Sequence, residues 1–135
     1  MKSCSEDIRD ILKNVLFEDS SSSIAYLFEF MVGKEPDEPI NVVSLFDTVG
    51  FPTPLTFNKD EQYNYPSVQV RVRAYDYVTG YRLANEIKEA LHGRAHETWN
   101  DTFYSLIYCV NGPFLLDFDK NQRPRFVLNF NIQRR

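Results

Sequence analysis

The first periodic stretch lies near the N-terminus, where Ile8, Ile11, Leu12, Val15 and Leu16 recur at i, i+3, i+4, i+7 and i+8. That spacing puts the apolar side chains on one stripe and predicts an amphipathic helix over residues 5–18. Ser3 or Ser5 can cap it, and Glu6 stands three residues after Ser3, where a capping box needs it. Serines at 20–23 break the pattern. Residues 24–32 (IAYLFEFMV) are a short aromatic run bounded by serine and Gly33, which favours a strand with Glu29 on its solvated face. Residues 33–39 (GKEPDEP) read as a turn, and 40–47 (INVVSLFD) as a second strand. Residues 48–65 carry Gly50, Pro52, Pro54 and a Tyr-rich end without any sustained period. They are expected to form a long loop, and loops of that length in small domains usually contact something.

The clearest alternation is at 66–75 (PSVQVRVRAY): Val68, Val70, Val72 and Ala74 point one way, Gln69, Arg71 and Arg73 the other. A helix follows over 77–92, with Leu83, Ala84, Ile87 and Leu91 on its buried side and Gly93 as its stop. Two strands close the chain, at 102–110 and at 125–132, the latter with Phe126, Leu128, Phe130 and Ile132 on one face. Asn111-Gly112-Pro113 and Asp119-Lys120-Asn121-Gln122 between them both read as turns. The order is α-β-β-β-α-β-β. It predicts one α+β domain over 1–135, with two helices on a mostly antiparallel sheet of four to five strands.

At 135 residues and 15.9 kDa the chain is one domain's worth, large enough to bury a core without disulfide or metal. Hydrophobic residues at 43% and charged ones at 25% exclude wholesale disorder, while 11 Phe and 8 Tyr make it rich in aromatics. The net charge of -4 is unevenly placed: residues 1–65 hold 5 basic and 12 acidic side chains (-7), residues 66–135 hold 10 and 7 (+3). Such a contrast suits either a nucleic-acid-facing half or two surfaces that let copies associate. No apolar run is long enough to cross a bilayer, and MKSCSEDIRD is too polar for a signal peptide, so no membrane is expected and the expected setting is intracellular.

Candidate chemistry is sparse. His92 and His96 flank Gly93 and have no third ligand nearby, and Cys109 sits at an alternating strand position, as a structural thiol does. Asp117, Asp119 and Asn121 begin like a calcium loop, but Gln122 replaces the required glycine and Leu128 the closing glutamate. No phosphate loop occurs, so no enzyme, metal or cofactor is expected. Arg71 and Arg73, with Tyr75, Tyr77, Arg123, Arg125, Arg134 and Arg135, could form a basic aromatic face for single-stranded nucleic acid; the negative total charge opposes that. The same arginines suit pairing with carboxylates of another subunit.

The ordered set of features resembles the tail-terminator proteins of long-tailed bacteriophages. It comprises Gly33-Lys34-Glu35-Pro36-Asp37, Phe46-Asp47-Thr48, Gly50-Phe51-Pro52, the run Pro66 to Arg73, Gly80-Tyr81, Leu91-His92-Gly93, Asn111-Gly112-Pro113, the Asp119 turn and the final strand from Phe126 to Ile132. The resemblance implies a virion protein, met also in the host cytoplasm during assembly. It implies a sixfold ring of this chain at the head-proximal end of the tail tube, ending tube polymerisation and joining the head. The partners implied are further copies of the chain, the tail tube protein and a head-completion or neck protein, with viral DNA passing through the lumen. On that reading Arg71 and Arg73 lie at an intersubunit or lumen-facing surface, and Phe51, Phe57, Tyr63 and Tyr65 mark a subunit or head contact on the 48–65 loop. The alternatives are a neck protein and a small nucleic-acid-binding regulator.

Overall fold

The computed structural model describes residues 2–18, 22–51 and 63–135. Its elements run α1 (Cys4–Lys13), β1 (Glu29–Val32), β2 (Val42–Phe51), β3 (Tyr65–Arg73), α2 (Tyr77–Leu91), β4 (Glu97–Trp99), β5 (Thr102–Phe118) and β6 (Pro124–Arg134). Alternation in β3 and β6 decides the middle of the molecule. Val68, Val70 and Val72 share one face with Phe126, Leu128, Phe130 and Ile132, and all are buried. Ile8, Ile11 and Leu12 of α1 and Leu83, Ala84, Ile87 and Leu91 of α2 close over that face. Each of these side chains larger than alanine contributes roughly 1.5–3 kcal/mol by leaving water. Among the described residues, no helix covers the opposite face of the sheet.

The sheet has six strands in the order β1-β2-β3-β6-β5-β4, with β1 parallel to β2 and the other pairs antiparallel. The α+β class and the helices stand as expected; the strand count of four to five does not. β4 leaves no signal in the sequence because three residues are too few to show an alternation. The expected strand over 24–32 begins with a 3₁₀ turn, Ala25–Leu27, and only Glu29–Val32 pairs. The first helix is α-helical to Lys13 and then widens into a π turn, Asn14–Glu18, which brings Phe17 edge-on to Phe30 at 5.6 Å. The capping box at Ser3 and Glu6 is present.

Asn111-Gly112-Pro113 is no turn, for β5 runs through it. Asn111 faces Asn129 and Phe114 faces Val127, so three steps on β5 oppose two on β6 and the extra residue is absorbed as a bulge. Gly112 permits this with φ +103, and a Cβ there would lie 2.5 Å from the Val127 carbonyl oxygen. The second turn is as expected: Asp119 Oδ1 accepts from the amides of Asn121 and Arg123, both at 2.9 Å. The expected loop over 48–65 is partly strand, since β2 reaches Phe51 and pairs there with Tyr65; residues 52–62 lie outside the described residues.

Because β1 and β2 are parallel neighbours, residues 33–41 must carry the chain back past the sheet, a task usually given to a helix. Here an irregular segment crosses the face without helices. The reason lies in the arginines beneath it.

Candidate assembly surfaces

Arg71 and Arg73 of β3 and Arg125 of β6 are cross-strand neighbours on the open face, Arg73 directly opposite Arg125. Glu35, from the returning segment, reaches all three, at 3.5 Å from Arg71, 3.8 Å from Arg73 and 3.2 Å from Arg125. Arg73 goes further. Its guanidinium donates to the carbonyls of Pro36, Pro39 (2.9 Å) and Ile40 (3.2 Å), and its side chain is only 3% exposed. Burial, and then the like charge of Arg123, pull its pKa below the usual value, and Glu35 opposes them. Arg125 also grips Asp117 bidentately at 2.6 and 2.5 Å; that hydrogen bonding raises its pKa and lowers that of Asp117. Arg123 donates to Asp119 at 2.7 Å and to the Asp37 carbonyl at 2.8 Å. Glu35, from the first half of the chain, thus meets three arginines of the second half inside one subunit.

The rest of the open face is a hydrogen-bonded ladder of neutral side chains. Gln69 donates to Asn129 (3.2 Å) and Asn129 to Asn111 (2.7 Å); Ser67 donates to Asn131 (2.7 Å) and Asn131 to the Tyr108 hydroxyl (3.3 Å). Arg71 caps the ladder by donating to Gln69 at 2.8 Å and lies 5.2 Å over the Phe46 ring. Its charge is countered by Glu35, so the face offers amides and little free positive charge, a poor match to a phosphate backbone.

Tyr63 and Tyr65 sit at the other end of β3, roughly 20 Å of strand from Arg71. Tyr63 lies under Arg135, at 5.6 Å, and Tyr65 pairs with Phe51. The structure therefore divides the candidate residues into two groups, and Phe57 lies outside the described residues.

A polar cluster that the sequence did not reveal ties α1 to the sheet near that second group. Buried Asp7 accepts from the hydroxyl of buried Tyr104, from Asn100 (2.7 Å) and from Arg134 (3.5 Å). Burial, foremost, raises the Tyr104 pKa, and burial pushes the neighbouring Cys4 thiol up to about 12. The signal available was an acid in the first turn of a helix, which reads simply as a favourable dipole partner. Of the histidines, His92 accepts the Cys109 amide on Nδ1 at 2.9 Å, and His96 lies beside Phe103.

Apolar surface also stands uncovered among the described residues. Tyr77, Val78 and Tyr81 form an exposed patch on α2, where Tyr77 and Tyr81 pack edge-on against Phe126. The far part of β5 is another such surface: Val110, Phe114, Leu115, Leu116 and Phe118 are all exposed, on both faces of the strand. So much uncovered apolar surface is unusual for a molecule that works alone.

Residues 11–135 match the family described as bacteriophage tail terminator protein. The chain belongs to that family. Its role is accordingly structural, in the assembly of a phage tail. No curated protein sequence matches it. Among solved structures it is similar to a chain of the virion of a native gene transfer agent particle, with TM-score 0.68 and 14% identity over 98% of this chain and 94% of that one. At that identity the likeness speaks for the fold, which this family member shares across nearly its whole length.

Proposed function

We propose that this chain forms a sixfold ring on the head-proximal end of the tail tube, where it ends tube polymerisation and presents the surface that joins the head. The observation that carries this reading is the tail-terminator family match over residues 11–135. The uncovered apolar strand is in keeping with it, because a cyclic ring needs two different complementary surfaces on every subunit. Its partners are then further copies of itself, the tail tube protein on one side and a neck protein on the other, with DNA passing through the lumen of the finished virion.

Deleting the gene and imaging the particles tests this directly. Overlong tails without heads are the expected result. Tails of normal length beside unjoined full heads would instead make the chain a neck protein. The purified chain is expected not to bind DNA in a salt-dependent way, and salt-sensitive binding would favour a regulator.

A further inference from the structure

We propose that the arginines beneath the returning segment hold a small inorganic anion, of the size and charge of chloride, against Arg123 and Arg73. The site follows from how that segment is fastened, and it stands apart from the ring reading. Consecutive carbonyls of the segment are held by different arginines: Pro36 accepts from Arg73, whereas Asp37 accepts from Arg123 at 2.8 Å. Two guanidiniums are thereby drawn to adjacent peptide groups, and both residues are buried, at 3% and 7% exposure. Arg123 places its Nε on Asp119 at 2.7 Å and its Nη1 on the Asp37 carbonyl. Its Nη2 is buried and has no hydrogen-bond partner among the described residues. A guanidinium nitrogen carries only donors, so an acceptor alone can satisfy it. Leaving such a donor unpaired costs more on a charged group than on a neutral one.

Charge decides which acceptor fits. Four guanidiniums, those of Arg71, Arg73, Arg123 and Arg125, gather around the segment, and the carboxylates in contact with them are three: Glu35, Asp117 and Asp119. Asp37 gives its carboxylate to Lys120, at 3.7 Å, while Glu38 and Lys34 are exposed and pair with none of the four among the described residues. One positive charge is therefore in surplus. It is least compensated at Arg73, whose carboxylate contact, Glu35, lies 3.8 Å away and is shared with Arg71 and Arg125. Burial and then the like charge of Arg123 lower the Arg73 pKa, as expected where two guanidiniums crowd together. A water would satisfy the Nη2 donor and leave the surplus charge standing; a monovalent anion answers both. A phosphate would bring more charge than is in surplus and four oxygens to one free donor nitrogen. Held there, the anion ties the crossover, and through it the pairing of β1 with β2, to β3 and β6.

The test uses the purified full chain. Crystals soaked in sodium bromide are expected to show an anomalous peak in contact with Arg123 Nη2, on its Arg73 side. A water at that nitrogen, with no anomalous signal, would overturn the proposal. In solution, a ligand bound only by the folded state raises the thermal midpoint by mass action. Midpoints are therefore compared in chloride and in gluconate, which is too large to enter, at equal ionic strength. Arg123→Lys keeps a cation for Asp119 and removes the second arm, so it cancels the general effects of the two salts. The advantage of chloride over gluconate is expected to be larger in the wild-type chain than in Arg123→Lys, and an equal advantage in both would sink the site. Should Arg123→Lys fail to fold, the bromide peak decides alone. Neither readout depends on the ring, whose fate rests on tail length after gene deletion.

Discussion

Arg71 and Arg73 stand two positions apart on one face of β3, yet one is held over an aromatic ring at the surface and the other is buried in carbonyl oxygens. The difference decides what each substitution does. Arg73→Ala removes donors from three carbonyls that no other described side chain satisfies and leaves Glu35 with less compensation, so a loss of about 2–4 kcal/mol in urea unfolding is expected. Arg71→Ala deletes a side chain that is 33% exposed, with one long ion pair, and is expected to cost under about 1 kcal/mol. Equal losses from the two would show that the returning segment is not held by Arg73. The same contrast explains why sequence alone treated these arginines as a pair. An alternating strand shows which face a side chain takes, but backbone carbonyls more than thirty residues away leave no residue-type signature. Glu35, their shared partner, looked like one acid among several in a turn.

At the level of elements, α2 depends on one close approach. A Cβ on Gly80 would lie 2.7 Å from the Phe126 ring and 3.1 Å from the Ala74 Cβ, and Phe126 is itself wedged against Tyr77 and Tyr81. Gly80→Ala gains about 1 kcal/mol of helix propensity but forces helix and sheet apart, at about 1–3 kcal/mol. The expected net effect is a lower thermal midpoint, and an unchanged or higher one would mean that the helix yields without strain. Elements with a full period are legible in the sequence: β3 from its valines, α2 from Leu83, Ala84, Ile87 and Leu91, β6 from its alternating Phe and Leu. What escaped was set by partners remote in sequence. The parallel pairing of β1 with β2 depends on a crossover held by side chains from β3 and β6, Arg73 and Arg125 among them, and by Arg123 just before β6. The Gly112 bulge looks like a turn because glycine and proline serve both, and only the neighbouring strand decides between them. The second group of candidate contacts, Tyr63 and Tyr65, reads as part of a loop because the end of a long hairpin has no alternation once a bulge intervenes.

Across the whole molecule, the titrating groups that fasten distant segments set the pH range in which the subunit stays folded. On the acid side, hydrogen bonding from Arg125 holds the Asp117 pKa below its usual value. Asp119 is likewise lowered, its hydrogen bonds from Arg123 and Asn121 outweighing burial. A depressed carboxyl contributes stability above its unfolded pKa, about 4, and that contribution disappears as pH falls through the lower folded value. On the alkaline side the sign reverses. Cys4 is raised by burial from 9.0 to about 12, so between those values the unfolded chain has released the thiol proton while the folded chain retains it. Unfolding is then favoured increasingly with pH, by up to about 1.4 kcal/mol per unit from this one group. Tyr104, raised in the same cluster, adds to the slope above 10.0. Urea unfolding of the wild-type chain is therefore expected to weaken steadily above pH 9, and Cys4→Ala to flatten that limb between pH 9 and 10 while leaving the acid limb unchanged. The cluster joins α1 to both β5 and β6, since Asp7, Tyr104 and Arg134 share its hydrogen bonds, so its loss should release the helix as a unit. Hydrogen exchange at alkaline pH should show α1 opening before β3. Simultaneous opening of both would place the weak point elsewhere.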